Sequence, residues 1–310
     1  MRKHLREKLK ATLRQTRRRL YPRADESLQL AVGSLHASLL ADRPIRKLQD
    51  AEFRVFSQWG EDGIIQYLIG KLRCQNQTFI EFGVQDYREA NTRFLMMNNH
   101  WSGLIIDGDK YHRQFLKKQR LDWKYDIKAT TAFITAENIN ALILAGGLSG
   151  EIGILSVDID GVDYWVLQAI EVVQPQIVIV EYNSFFGDQH AISVPYRPDF
   201  VRRKAHYSDL FWGASLGAFY RLLVPRGYLF VGCNSAGNNG FFVKRDAVIG
   251  ELPEVTLNDG YVRAKFWECK SRTGEIDLSR NLKGLLTELA DFDVVDVVSG
   301  ERVPLGSLQL

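Results

Sequence analysis

The sequence predicts an α/β fold: a mostly parallel, seven-stranded sheet with helices on both faces, closed by an antiparallel hairpin. Three observations lead there. Short apolar runs alternate with helical stretches from Thr78 to Val180, the pattern of βαβ units in a parallel sheet. Two later runs, Gly227–Cys233 and Gly240–Lys244, are separated by so few turn residues that they must pair antiparallel. The stretch from Thr78 to Asp109 reads as strand, tight turn, helix, strand, acid. At 310 residues and 45% hydrophobic content, the chain can bury a full core as one large domain with extensions.

Residues 1–50 read as a basic, helical extension. Leu5, Leu9 and Leu13 fall at i, i+4, i+8 among many Lys and Arg, a helix with a narrow apolar seam, and Tyr21-Pro22 breaks it. Two readings stand: the leucines pack on the body of the protein, or residues 1–23 meet an anionic membrane surface, an acidic partner or nucleic acid. A second apolar-rich helix runs from Ser27 to Leu48, with a link near Asp42-Arg43-Pro44. No apolar run has the length of a membrane span, and the basic start lacks the apolar core of a secretory signal. Cys74, Cys233 and Cys269 are isolated, without metal spacing, which suits a reducing, cytoplasmic setting, with the inner membrane face as the peripheral alternative.

Residues 51–250 form the predicted main domain. Ser57-Gln58 and Trp59-Gly60 precede a helix whose first turn carries Glu61 and Asp62. Acids there suit the helix dipole. They equally suit a role for Gln58, Glu61 or Asp62 beside a bound cofactor, since this helix leads into the strand at Thr78. Thr78–Phe82 is the first strand, and Gly83 takes the turn. A helix from about Arg88 to Asn98 and a strand Gly103–Ile106 follow, closed by Asp107. Gly83 to Asp107 is roughly the spacing at which an acid meets a ribose in nucleotide-binding units. Val84, Gln85 and Asp86 replace the glycines that a pyrophosphate turn needs, so a nucleoside fits better than a dinucleotide.

Trp123–Ile127 reads as the third strand, ending near Asp126, and Thr135 caps a helix that Gly146-Gly147 ends. Ile152–Val157 is the fourth strand, closed by Asp158-Ile159-Asp160-Gly161. A helix from Asp163 to Val173, stopped by Pro175, leads to a fifth strand, Ile177–Val180, closed by Glu181-Tyr182-Asn183. Ser184–Tyr207 is long and irregular and follows a strand's carboxyl end, as a substrate lid would. Its Tyr196, Arg197, Arg202, Arg203, Lys204 and His206 suit an anionic acceptor or ordinary surface basicity. Ser208–Val224 reads as a helix with small residues that pack closely on the sheet. Residues 251–310 form a C-terminal extension whose pattern assigns no role.

This pattern resembles the class I S-adenosylmethionine-dependent methyltransferases, with their Rossmann-like sheet closed by an antiparallel hairpin, and within them the FkbM-type and sugar O-methyltransferase group. The residues that carry the resemblance are Ser57-Gln58-x-Gly60-Glu61-Asp62-Gly63, Phe79–Gly83, Ile105–Asp109, Ser156–Gly161 with Asp163-Tyr164-Trp165, Val180–Asn183 and Gly232–Asn239. It spans about Phe53 to Asp246. By that resemblance the cofactor is S-adenosylmethionine. Glu81 and Gly83 would flank its methionine moiety, Asn91 and Thr92 would meet the methionine carboxylate, Asp107 the ribose hydroxyls, and Asp126 the adenine.

Methyl transfer to a hydroxyl needs a base, a metal or both. Asp158 ends the fourth strand, and Glu181 and Asn183 end the fifth. Strand period two puts Glu181 and Asn183 on one side if the strand runs that far. Asp158, Glu181 and Asn183 then offer three oxygen ligands to Mg2+ or Mn2+. Without metal, Asp158 and Glu181 would contact acceptor or cofactor, while Asp160 and Asp163 cap the next helix. Asp158, Asp160 and His206 are the candidate general bases. The expected acceptor is a saccharide or another hydroxyl-bearing metabolite. Glu181-Tyr182-Asn183 lacks the Asn/Asp-Pro-Pro-Tyr arrangement of amino methyltransferases acting on nucleic acid, so that alternative ranks lower, beside a non-catalytic S-adenosylmethionine-binding module. A dinucleotide-dependent enzyme ranks last.

Overall fold

The computed structural model describes residues 26–41, 43–252, 254–265, 269–277 and 282–309. The basic segment 1–23 lies outside these residues, and so does Asp42 of the link.

The core is one seven-stranded sheet. In chain order its strands are β1 (Thr78–Phe82), β2 (Ser102–Asp107), β3 (Ile127–Thr131), β4 (Gly150–Val157), β5 (Val173–Glu181), β7 (Tyr228–Cys233) and β8 (Asn239–Lys244). They lie in the order β3-β2-β1-β4-β5-β8-β7. The pairs from β3 through β5 are all parallel. β8 runs antiparallel to both neighbours. The sequence reading put the antiparallel strand at the sheet's end. It lies second from the end, because the hairpin folds back to dock its later strand on β5 and leaves β7 outside. This is the Rossmann-like sheet that the sequence predicts.

Alternation along each strand builds two cores. Ile80, Phe82, Leu104, Ile106, Leu155, Val157, Val178 and Val180 face one helix layer. Phe79, Ile105, Ile154, Ile177 and Ile179 face the other. Both faces are buried, so the strands read as continuous apolar runs. The second layer holds α1 (Glu26–Ala41), α2 (Glu61–Ile69), α3 (Arg93–Asn99), α4 (Tyr111–Gln119) and the short α5 (Leu121–Lys124). The first layer holds α6 (Ile139–Ala145), α7 (Asp163–Ala169) and α9 (Leu216–Leu223), with the short α8 (Arg202–Ala205) between α7 and α9 in the chain and its Ala205 packed on the same core. Two further helices, α10 (Leu257–Gly260) and α11 (Leu282–Glu288), belong to the C-terminal extension.

Several boundaries differ from the sequence reading, with α3 beginning at Arg93 and α1 ending at Ala41, and three more bear on the sheet and the site. β3 starts at Ile127, where the reading ended it, because Leu121–Lys124 is a helical turn. α7 stops at Ala169, and Pro175 lies inside β5. The proline is tolerated because β8 meets β5 only from Ile177 onward. The helix expected from Ser208 begins at Leu216, where Ser215 caps it by accepting from the Ala218 amide. The residues before it form turns and bends, with positive φ at Asp209 and Gly213 and a bridge from Ala214 to Ser193.

The irregular segment after β5 and the C-terminal extension form a second, three-stranded sheet. β6 (Ile192–Ser193) pairs with β9 (Asp293–Asp296), which pairs with β10 (Arg302–Pro304). Leu285, Leu289, Val294 and Leu305 join the first core. Residues 251–310 are therefore built onto the main domain, with a structural role that their pattern did not convey.

Candidate functional site

The strand order reverses between β1 and β4, one leading to β2 and the other to β5. Ligands bind outside the carboxyl ends of strands at such a point. A cavity of about 360 Å³ opens there. Gly83 follows β1, Asp107 and Gly108 close β2, Phe133 and Ile134 follow β3, residues 158–162 follow β4, and Glu181 ends β5; all of them line it.

Gly83 has φ +73°, and a Cβ there would sit 1.3 Å from the Asp158 carbonyl oxygen. The residue is glycine because the backbone after β4 crosses at that point, which tightens the sequence argument about ligand approach. Asp107 is half-buried. Its Oδ2 accepts from the Gln85 amide at 2.7 Å and its Oδ1 from the Asp109 amide at 2.6 Å. Burial raises its pKa against those hydrogen bonds. Each oxygen keeps a lone pair for a ligand hydroxyl.

Three acids meet at the far end of the cavity. Asp158, Asp160 and Glu181 each place a carboxylate oxygen within 4.8 Å of the others. Asp163 shapes this turn from below, accepting from the Ile159 amide at 2.7 Å and the Gly161 amide at 2.9 Å. Asp160 sits at φ +54°, a left-handed conformation, and ion-pairs with Arg202. Arg202 also donates to the Asp209 carbonyl and lies 4.5 Å over the Trp212 ring. Burial, and then the Asp160 charge, push Asp158 well above the carboxylate range; burial, and then Asp158, do the same to Glu181. Glu181 Oε2 is buried with no hydrogen-bond partner. A smaller cavity of about 120 Å³ adjoins, walled by Trp59, Trp212, Leu210 and Asn238, and it shares Gln58, Glu181 and Arg202 with the larger one.

Of the predicted residues, the structure brings together Gln58, Gly83, Asp107, Asp158, Asp160 and Glu181. Asn183 lines the smaller cavity, and the others stand elsewhere, each for a local reason. Asn183 is a correction to the metal set. β5 ends at Glu181, so the strand alternation does not reach it. Its Nδ2 donates to the Leu210 and Trp212 carbonyls and its Oδ1 caps the Phe185 amide. Asp160 is the residue that stands beside Asp158 and Glu181. His206 is also corrected: it lines neither cavity, bonding to Ser208 and packing on Tyr207 and Phe292.

Five predicted cofactor residues serve as scaffold. Glu61 is internal and accepts from the Trp59 and Gly60 amides and from Asn234 and Asn239, tying α2 to the hairpin turn. Asp62 Oδ2 gathers the amides of Val55, Phe56 and Ser57. Glu81 shares a face with Phe79, so it points into the helix layer rather than the cavity. There it accepts from the Asn91 and Thr92 amides and the Thr92 hydroxyl. Thr92 is spent on that contact, and Asn91 donates its side-chain amide to Ser156 at 3.1 Å. Asp126 precedes β3 and lies at the opposite edge of the sheet from the cavity.

Sequence reasoning missed Phe133 and Ile134, which line the cavity where Asp126 was expected. The alternation Ile127, Ala129, Thr131 would have located them by placing the strand one element later. It also missed Trp59 and Trp212. Among the basic residues of the expected lid, Arg202 reaches the cavities. Tyr196 bonds to Glu137, Arg197 pairs with Asp199 in solvent, and Arg203 and Lys204 are exposed.

No protein-family model and no curated protein matches the chain. Solved structures do. The O-methyltransferase TomG from Streptomyces achromogenes, in complex with SAM, is similar over 73% of this chain and 100% of its own, at 15% identity and TM-score 0.39. The pyocyanin biosynthetic protein PhzM aligns over 56% of this chain and 52% of its own, at 11% identity and TM-score 0.35. The CurJ carbon methyltransferase aligns over 59% and 52%, at 10% identity and TM-score 0.37. The chain thus spans about half the length of PhzM and of CurJ. Likeness at this level carries no functional argument.

Proposed function

We propose that the chain is an S-adenosylmethionine-dependent O-methyltransferase acting on a hydroxyl of a saccharide or similar polyol. The observation that supports this is the meeting of two cavities at one acid cluster. The larger has Asp107 at its β2 end; the smaller has indole walls. Asp107 would accept from the ribose hydroxyls, and Phe133 and Ile134 would face the adenine. Trp59 and Trp212 offer flat apolar faces to the C–H side of a sugar ring, while Gln58 and Asn238 reach its hydroxyls.

The donor would supply an electrophilic methyl on a sulfonium, for transfer to the acceptor oxygen with the C–S electron pair left on sulfur. One of the neighbouring pair Asp158 and Glu181, at the junction, would take the hydroxyl proton. Arg202 holds Asp160 and closes the site against water through its contact with Trp212. The acid cluster also fits a hard cation, since the donors are all carboxylate oxygens and Glu181 Oε2 lacks a partner. Asp158, Asp160 and Glu181 would hold Mg2+ or Mn2+, which would lower the pKa of a bound hydroxyl.

The test is transfer of labelled methyl from S-adenosylmethionine to a panel of glycans and sugar nucleotides. Label should appear as a methyl ether, and Glu181→Gln should reduce transfer by about a hundredfold or more while donor binding persists. Label on nucleic acid with none on polyols would overturn the acceptor assignment. EDTA should abolish turnover and spare donor binding; full activity in EDTA removes the metal.

A further inference from the structure

The helix layer around α1 presents a surface that methyl transfer does not use. α1 spans 16 residues, and from Ser27 to Ala41 it holds no Asp, Glu, Lys or Arg. Gly33 and Leu40 face the body. Leu28, Val32, Leu35 and Leu39 form a row at spacings of four, three and four on the outer side, exposed by 60, 46, 59 and 64%. Such a row on a helix about 24 Å long is an apolar stripe without a partner among the described residues.

The neighbouring surface is basic and aromatic. Lys110, Arg113, Lys117, Lys118, Arg120 and Lys124 on and beside α4 and α5 are all exposed. Tyr111 and Trp123 stand among them, exposed by 55 and 82%. Both regions belong to one layer: Leu40, Phe115, Leu116 and Leu121 share a core. Arg93 joins them directly, pairing with Glu26 at 3.0 Å and lying 5.0 Å over the Phe115 ring. Residues 1–23, immediately before α1 in the chain, add ten Lys and Arg against one acid.

We propose that this face docks on an anionic lipid bilayer, with the α1 stripe entering the headgroup region and the α4–α5 cations and the N-terminal segment meeting lipid charge. A stripe without charges enters that region at little desolvation cost, and Trp and Tyr settle at its boundary. An apolar row and a basic surface are two signals, the combination that gives stable peripheral attachment. A second copy of the chain is disfavoured as occupant, because pairing through α1 would bring two strongly basic segments together. A nucleic acid would leave the stripe uncovered. Among the described residues no helix is long and apolar enough to cross a membrane, so the attachment is to the surface. The proposal is independent of the chemistry at the acid cluster.

The test is co-sedimentation of the full-length chain with vesicles of phosphatidylcholine, alone or mixed with phosphatidylserine. Binding should require phosphatidylserine and weaken with salt. Leu28→Ser/Leu35→Ser/Leu39→Ser should lower partitioning by about tenfold or more, and Lys117→Glu/Lys118→Glu by about tenfold or more. These positions are exposed, so thermal unfolding of both variants should match the parent. A polarity-sensitive dye at Leu35→Cys, in a Cys74→Ser background because Cys233 and Cys269 are buried, should shift on addition of the mixed vesicles and not before. Absence of binding, equal binding to neutral vesicles, or an unchanged triple-serine variant overturns the proposal. So does a lipid-free dimer that the triple-serine variant dissociates, or a dye already shielded in the lipid-free monomer, which would mean that residues 1–25 cover the stripe.

Discussion

Gly83 is the residue on which the cavity's shape turns. Its positive φ and the Asp158 carbonyl at the place of a Cβ leave no room for a side chain. Gly83→Ala should therefore cost about 3 kcal/mol or more in urea unfolding and impair donor binding, because the β1 and β4 ends must separate. Glu81 lies one strand position away from the site and supports it from behind. Burial raises its pKa from the ordinary 4.5 to about 7, against three hydrogen bonds that lower it. The folded chain thus binds this proton more readily than the unfolded one. Glu81's contribution is fully present below the unfolded pKa and is lost as pH rises through about 7. Between pH 5 and 8 the loss is on the order of 3 kcal/mol. In Glu81→Gln that slope should flatten in unfolding measured across the same range; an unchanged slope would show that Glu81 does not titrate there.

At the scale of elements, the C-terminal extension holds the wall of the smaller cavity. Lys270 pairs with Asp209, whose side chain is 7% exposed, and the Lys270 amide donates to the Ser208 carbonyl. Asp209 in turn offers its carbonyl to Arg202. Tyr182 donates to the Val262 carbonyl, and Ala264 lines the cavity itself. Lys270→Met should leave a buried, unpaired carboxylate and cost about 3 kcal/mol. Unfolding in urea checks this, and a loss below about 0.5 kcal/mol would mean that the pair is solvent-relaxed. This coupling was not legible in the sequence. A lysine some 60 positions from its partner has no pattern, and β6 has two residues, too few for any periodicity. The strands of the main sheet were legible because both faces are buried and the runs are apolar. The errors fell where local signals mislead: Trp123 and Tyr125 resemble a strand, and Pro175 resembles a stop unless it is known that β8 does not reach that end of β5.

At the scale of the molecule, strand order does the organising. Parallel strands from β3 to β5 point their carboxyl ends to one rim, and the reversal between β1 and β4 opens that rim. The acids that end β2, β4 and β5 were therefore readable as site residues from their position after apolar runs. Acids inside a strand or at a helix start, such as Glu81, Glu61 and Asp62, carry the same residue type into a scaffold role. Side-chain direction separates the two groups, and it follows from registers that the whole sheet fixes. The account's central claim is that the 360 Å³ cavity at this rim holds the methyl donor through Asp107. Calorimetric titration of the protein with S-adenosylmethionine tests it most directly. Binding at low micromolar strength, weakened by about tenfold or more in Asp107→Ala with the unfolding temperature retained, is the predicted result; no detectable binding, or equal binding by Asp107→Ala, would contradict it.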